Sequence, residues 1–256
     1  MSDESISKRV LTQGQLLQLM RWNTPTVYNG WEQITQRDST RECFNLEDVR
    51  DYMPQMGPMV GYAVTLVIEP SNGRHREQNP KAWSEYFRYV ASFPAPKIVV
   101  IRDLDKPQTF GAGWGEVMAN LHKALGCVGV IADGSVRDVE WMTNAGFKVL
   151  ARRLSVGHAK VCPVRWNCPV EVFGLKVEPG NLIHADQHGF LVIPHEDQAR
   201  LLDASRFMDN NECDTLISAG RAASGLSTEE LLAQIDRSFA DFRDATVKRF
   251  SGRVGY

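Results

Sequence analysis

The sequence has no apolar run of about 18 residues, the length a membrane-crossing helix requires, so no membrane span is expected. Its opening residues, MSDESISKRV, lack the apolar core of a signal peptide. Neither sign of charge dominates: 29 Lys and Arg stand against 31 Asp and Glu, a formal net charge of −2. No global field draws the chain to nucleic acid or to an anionic membrane, and neither is expected as a partner. Cys43, Cys127, Cys162, Cys168 and Cys213 are odd in number and form no Cys-x-x-Cys. They read as reduced thiols of a cytoplasmic protein rather than as a disulfide framework. No Gly-Lys-Ser/Thr follows a glycine-rich stretch, which excludes a Walker loop. Internal repeats and low-complexity linkers are also missing.

What is present is an ordinary globular composition, 43% hydrophobic and 23% charged over 256 residues, long enough to bury a core without staples. The apolar, β-branched runs at 59–68, 97–103, 127–134 and 147–153 read as strands. Helical stretches at 80–93, 114–125 and 138–146 alternate with them, and that alternation predicts a parallel α/β sheet. Near the start, residues 11–22 have helical spacing, and Thr24 with Pro25 marks a second helix start. Beyond residue 155 the texture becomes β-rich, with short runs at 169–177, 181–186 and 190–194 between turn-like EPGN and DQHG. Helical pattern resumes at 194–208. The last element, 227–250, opens on a capping box from Ser227 to Glu230. Its stripe of Leu231, Leu232, Ile235, Phe239 and Phe242 is expected to pack in the core, with packing against a neighbouring subunit as the alternative. The organisation expected is an N-terminal extension (1–23), an α/β domain (24–210) and a C-terminal helical extension (211–256).

Chemistry concentrates in residues 111–138, GAGWGEVMANLHKALGCVGVIADGSVRD. The glycines do not match a dinucleotide fingerprint, and no ribose-binding acid follows. What remains is a glycine turn feeding a helix N-terminus, whose free N–H groups hold a carboxylate or an enolate oxygen as well as a phosphate. Each acid taken singly has a structural reading. Glu116 favours a helix dipole, Asp138 caps a helix, Asp133 shapes a turn before Gly134, and Arg137 is a surface cation. Together they say more. Glu116 and Asp138 start helices after neighbouring loops at the carboxyl end of a parallel sheet, where ligands bind. Two oxygen donors favour a hard cation such as Mg²⁺ or Mn²⁺, and arginine matches a carboxylate with a bidentate fork.

With GYAVT (61–65) and VEPGNLIHADQHGFLVIP (177–194), this stretch resembles the RraA-like family over roughly residues 24–200. That family holds regulator of ribonuclease activity A and class II pyruvate aldolases acting on 4-hydroxy-4-methyl-2-oxoglutarate and 4-carboxy-4-hydroxy-2-oxoadipate. The resemblance implies a swivelling β/β/α-type α/β fold in homotrimers or homohexamers, with sites at subunit boundaries. It implies that Asp138 binds the divalent metal and that Arg137 contacts the enolate oxygen. Glu116, an aspartate in the aldolases, would act on the metal through water. The N–H groups of Val117 and Met118, beside Gly113 and Gly115, would hold the substrate carboxylate. The aldolases also take a glutamate from a neighbouring subunit's C-terminal region, for which Glu212 is the candidate here.

The residue types suit cleavage of a 2-oxo acid through a pyruvate enolate, with oxaloacetate decarboxylation as a natural side activity. A lysine Schiff base is the other aldolase strategy, but no lysine sits in an evident pocket motif. Cys162 and Cys168, with five residues between them and a proline after each, do not match zinc spacing. His184 and His188 read as core or turn residues, His158 as a polar pocket contact, and Cys127 as a small buried hydrophobe. Two functions compete: a metal-dependent aldolase or decarboxylase, and a non-catalytic regulatory binding protein of the ribonuclease-regulator type. Methyltransfer is set aside for want of a glycine-rich nucleotide site.

Overall fold

The computed structural model describes residues 10–250; most of the opening stretch read for a leader lies outside them. In chain order the elements are α1 (Gln13–Leu19), α2 (Thr24–Glu32), β1 (Arg50–Asp51), β2 (Met59–Ile68), α3 (Arg74–Gln78), α4 (Ala82–Ser92), β3 (Lys97–Asp103) and β4 (Ala112–Trp114). There follow α5 (Glu116–Ala124), β5 (Cys127–Val136), α6 (Val139–Asn144), β6 (Lys148–Leu154), β7 (Pro163–Trp166), β8 (Val170–Val172), β9 (Leu175–Val177), β10 (Leu182–Asp186), β11 (Gly189–Ile193), α7 (Gln198–Glu212), α8 (Ser218–Arg221) and α9 (Thr228–Phe250). They form two compact units. One holds the described residues up to Thr24 and Thr40–His195; the other holds Pro25–Ser39 and the described residues from Glu196 onward.

The first unit is built on one sheet in the order β1-β6-β5-β3-β2-β10-β11. Strands β6, β5, β3 and β2 run parallel, as the βα alternation predicted. Their side chains alternate between two cores. Val64, Leu66, Val99, Ile101, Val130 and Ala132 pack with α4–α6, while Ala63, Val67, Val100 and Ile131 pack with the β8–β9 hairpin and β10–β11. The result is a helical layer, a sheet and a smaller β layer, which is the β/β/α arrangement.

Strands β2 and β3 match the expected ranges residue for residue. Strands β4 and β7 were not foreseen; β4 lies where a glycine turn was expected to lead into a helix from residue 114, and at three residues it is too short to show a period. Two fully buried lysines stand at the amino ends of β3 and β6. Lys97 donates to the Val90 and Leu125 carbonyls at the ends of α4 and α5 (2.7 and 2.6 Å), and Lys148 pairs with Asp51 at 2.6 Å. Both are structural cations satisfying carbonyl or carboxylate oxygens.

Asp133 is not a turn residue. It lies inside β5, fully buried, paired with Lys106 and with Arg152 (Nε–Oδ1 2.7 Å), and accepts the Phe173 N–H at 3.1 Å. His184 is buried between Thr24 Oγ1 (2.9 Å) and the Leu19 carbonyl (3.1 Å), and His188 sits at the β10–β11 turn beside Asp186, both as expected. Cys127 is buried, which pushes its thiol up to about 12.

The second unit contains the helical C-terminal segment. Trp31 is buried and donates to Asp197 at 3.0 Å. A β-carbon at Gly30 would stand 2.4 Å from the Ser205 nitrogen, so this contact requires glycine. The Ser227–Glu230 capping box forms as foreseen. The α9 stripe departs from expectation: Phe242 is buried, but Leu232 and Phe239 are 56% and 53% exposed. The buried face is Ser238, Phe242 and Thr246, anchored by Asn211 Nδ2 donating to the Phe242 carbonyl (3.0 Å) and Thr246 Oγ1 (3.1 Å). Those polar anchors turn the helix away from its most apolar side.

Beside Asp133, Asp103 ends β3 with its Oδ2 buried and without a hydrogen-bond partner among the described residues. Burial pushes its carboxyl from 3.8 up to about 6. The folded state keeps a proton that the unfolded chain releases, so this residue's contribution to stability falls as pH rises from about 4 to 6. The neutral isostere Asp103→Asn should match the parent below pH 4 and be more stable above pH 6. Urea midpoints across pH 4–8 measure this, and a constant offset between the two proteins would contradict it.

Candidate functional site

The site is assembled by backbone pairing. Strand β4 runs parallel to the last residues of β5, with Ala112 opposite Ser135 and Trp114 opposite Val136. Ser135 Oγ donates to the Gly111 carbonyl at 2.8 Å, and Arg137 N–H to the Trp114 carbonyl at 3.0 Å. The two chains therefore leave the sheet side by side at its carboxyl end. Gly115 then meets Arg137 and Asp138. A β-carbon at Gly115 would stand 2.6 Å from Asp138 Oδ2 and 3.2 Å from Arg137 Cγ, so only glycine allows this approach.

Asp138 precedes α6 but does not cap it through its side chain. Its backbone is left-handed, φ +59° and ψ +39°, an uncommon state for a residue other than glycine. That conformation turns the carboxylate back toward α5. Oδ2 accepts the Glu116 N–H at 3.2 Å and lies 3.5 Å from Arg137 Nε. Oδ1 has no protein partner among the described residues. Arg137 also donates from Nη1 to the Val156 carbonyl at 3.3 Å, which holds its guanidinium over the loop.

Helix α5 begins at Glu116 with no side-chain cap, and its first intrahelical bond runs from Ala119 N–H to the Gly115 carbonyl. The N–H groups of Val117 and Met118 thus have no protein acceptor among the described residues. Val117 and Met118 line a cleft of about 200 Å³ together with Gly113, Gly115, Arg137, Asp138 and His158. Of the residues singled out from sequence, these seven meet in one place. The Glu116 side chain is exposed and does not line the cleft; only its backbone N–H reaches Asp138. Glu212 lies in the second unit, where it accepts from Asn29 Nδ2 at 2.9 Å.

Sequence reasoning missed the apolar wall. Trp83, Trp114 and Val161 line the same cleft. Behind Trp114, at 4.3 Å between ring centroids, lies His122. Its Nδ1 is 2.7 Å from the Met118 carbonyl and its Nε2 3.2 Å from Tyr86 Oη. Burial lowers His122 to about 4, so the ring is neutral and donates to that carbonyl. The signal was the aromatic run of residues 80–93, whose rings face the α5 helix.

A family model described as RraA-like, Aldolase/RraA, matches residues 24–192. The chain belongs to the RraA-like family. It is 26% identical over 140 residues to Protein DlpA of Legionella pneumophila, covering 54% of this chain and 22% of that one. It is 27% identical over 93 residues to a putative 4-hydroxy-4-methyl-2-oxoglutarate aldolase of Halalkalibacterium halodurans, covering 36% and 44%. The chain thus spans less than half the length of either curated relative. Among solved structures it resembles Streptomyces coelicolor RraAS2, described as an unusual member of the RNase ES inhibitor RraA protein family. The TM-score is 0.62 at 19% identity, over 81% of this chain and 96% of that one, which shows a shared fold.

Asp138 occupies a backbone conformation that glycine adopts freely. Asp138→Gly relieves that conformation but gives up the Glu116 N–H contact, so the stability of the fold should change by less than about 1 kcal/mol while the carboxylate leaves the cleft. Chemical denaturation of parent and variant checks this; a loss above about 1 kcal/mol would make Asp138 a structural residue.

Proposed function

We propose that this RraA-like chain is a divalent-metal-dependent lyase, an aldolase or decarboxylase that cleaves a 2-oxo acid through a pyruvate enolate. The observation that carries the reading is the meeting of three complementary groups in one cleft: the Asp138 carboxylate, the Arg137 guanidinium and the unbonded N–H pair of Val117 and Met118. The donor chemistry fits Mg²⁺ (or Mn²⁺). Such an ion keeps several waters and needs only one or two carboxylates, and Asp138 has an oxygen to spare. Asp138 would hold the ion directly and Glu116 through water. When bound, the ion supplies Lewis-acid polarisation of the 2-oxo group.

The chain's own residues account for the rest. The N–H groups of Val117 and Met118, at the positive end of α5, take the substrate carboxylate. Gly113 and Gly115, which line the same cleft, would stand beside it. Arg137 places a fixed positive charge where the enolate oxygen develops. Glu116, exposed and outside the cleft lining, would act through a water that receives the proton. Oxaloacetate and 4-hydroxy-4-methyl-2-oxoglutarate both yield this enolate, and the aldolase relative supports the class. The reading includes a cytoplasmic homotrimer or homohexamer. Exposed Phe110, Trp141, Leu154 and Val156, all close in sequence to the site loops, supply apolar surface for a neighbouring copy.

The test is pyruvate release from both substrates with Mg²⁺ or Mn²⁺. Release should vanish with EDTA and with Asp138→Ala, and Arg137→Ala should lower kcat roughly 10²–10³-fold. A folded protein that neither binds metal nor releases pyruvate would instead be a non-catalytic regulatory binding protein.

A further inference from the structure

Helix α9 buries the side bearing Ser238, Phe242 and Thr246 and leaves another face open. At about 100° per residue, Leu232, Asp236, Phe239, Arg243 and Val247 fall on one stripe of that open face. Leu232 and Phe239 are more than half exposed, and Val247 more than a third. Asp236 and Arg243 are exposed too, and Arg243 meets its chain neighbour Asp244 loosely, at 3.9 Å. The steps of four, three and four residues from Leu232 to Arg243 are those of a coiled-coil seam. The stripe covers roughly 22 Å of helix. A helix face meant for water is polar along its length, whereas this one sets Leu, Phe and Val around its two charges.

The order along the stripe is apolar, acid, apolar, base, apolar. Read from the other end it is the same with the charges exchanged. Turned end for end about a point between Phe239 and Ala240, Leu232 falls opposite Val247, Asp236 opposite Arg243, and Phe239 beside its own copy. We infer that the stripe is a two-fold contact, in which α9 lies antiparallel against α9 of a second copy of this chain. Each contact holds two Asp236–Arg243 pairs around a centre made by the two Phe239 rings, with Leu232 and Val247 closing both ends. A parallel pairing sets Asp236 on Asp236 and Arg243 on Arg243, and facing like charges are unfavourable. Self-complementarity about a midpoint is what an isologous contact between identical chains requires, and a partner of different sequence has no need of it. The contact is small beside standard interfaces, so its occupancy rises with protein concentration. It stands on α9 alone and does not use the lyase reading. To the homotrimer or homohexamer of that reading it adds a surface on the other unit, and it selects the hexamer, in which two-fold contacts join two trimers.

The experiment is the mass of the full chain in solution, by sedimentation velocity at rising protein concentration. The parent should reach an even number of chains. Asp236→Arg puts like charges in both facing pairs, and so does Arg243→Asp; each should halve that number. An equal mixture of the two single variants should regain it, because one copy then brings two bases and the other two acids. The double variant Asp236→Arg/Arg243→Asp should regain it as well. Both positions are exposed, so the variants should keep the parent's far-UV circular dichroism, and recovery on mixing requires two folded proteins. Single variants that keep the parent's mass overturn the inference, as do single variants that lose it without recovery on mixing. A parent with an odd number of chains, a monomer or a trimer, also overturns it and leaves the stripe to a different protein. The lyase reading survives each of these outcomes, since its own test is pyruvate release.

Discussion

The site depends on one short pairing: three residues of β4 lying parallel to the end of β5. Where β3 leaves β5 at Asp133, β4 takes over the same edge from Ser135. The chain entering α5 is thereby brought against the chain entering α6. Everything in the cleft follows from that contact. Gly115 must lack a side chain because Asp138 occupies the space a β-carbon would need. Asp138 must adopt a left-handed backbone so that its carboxylate faces the start of α5 rather than its own helix. The uncapped N–H groups and the guanidinium are then left bordering one volume. Asp138 takes the first N–H of α5, but the next two stay unbonded, and a residue held in a left-handed conformation needs a reason. Together these groups form a place for an anion beside a cation.

Much of this was legible in the sequence. Strands β2, β3, β5 and β6 showed as apolar, β-branched runs because both their faces are buried, which leaves few polar residues to interrupt them. The turn glycines and the Arg137–Asp138 pair marked the carboxyl end of the sheet. Strand β4 was not legible, since its three residues owe their conformation to β5 rather than to their own pattern. Asp133 was misread because an Asp-Gly pair looks like a turn, and its partners Lys106 and Arg152 are 27 and 19 residues away. The apolar wall was visible only as an aromatic helix, with nothing local to say which cavity it would face. The α9 stripe was misjudged because Asn211, far away in sequence, selects the side of the helix that is buried.

The charged groups divide by location. Lys97 and Lys148, at the amino ends of the strands, are buried, and Lys97 caps helix ends while Lys148 pairs with Asp51. Asp133 is buried under the carboxyl end, paired with the partly exposed Arg152 and Lys106, and ties the sheet to the β8–β9 layer through Phe173. In the Arg137–Asp138 pair both members are accessible, about a third exposed, and they are only loosely paired at 3.5 Å. A structural ion pair would be closer or more deeply buried. A loosely held, accessible pair is available to a ligand that binds both members.

The central claim is that Asp138, Arg137 and the start of α5 form one binding site for a cation and a pyruvate enolate. A crystal structure with Mn²⁺ and oxalate, a planar mimic of that enolate, tests it most directly. The account predicts an anomalous peak on the Asp138 carboxylate, with oxalate between Arg137 and the N–H groups of Val117 and Met118. Manganese and oxalate bound away from these residues, or no binding at concentrations well above those of the assay, would contradict it.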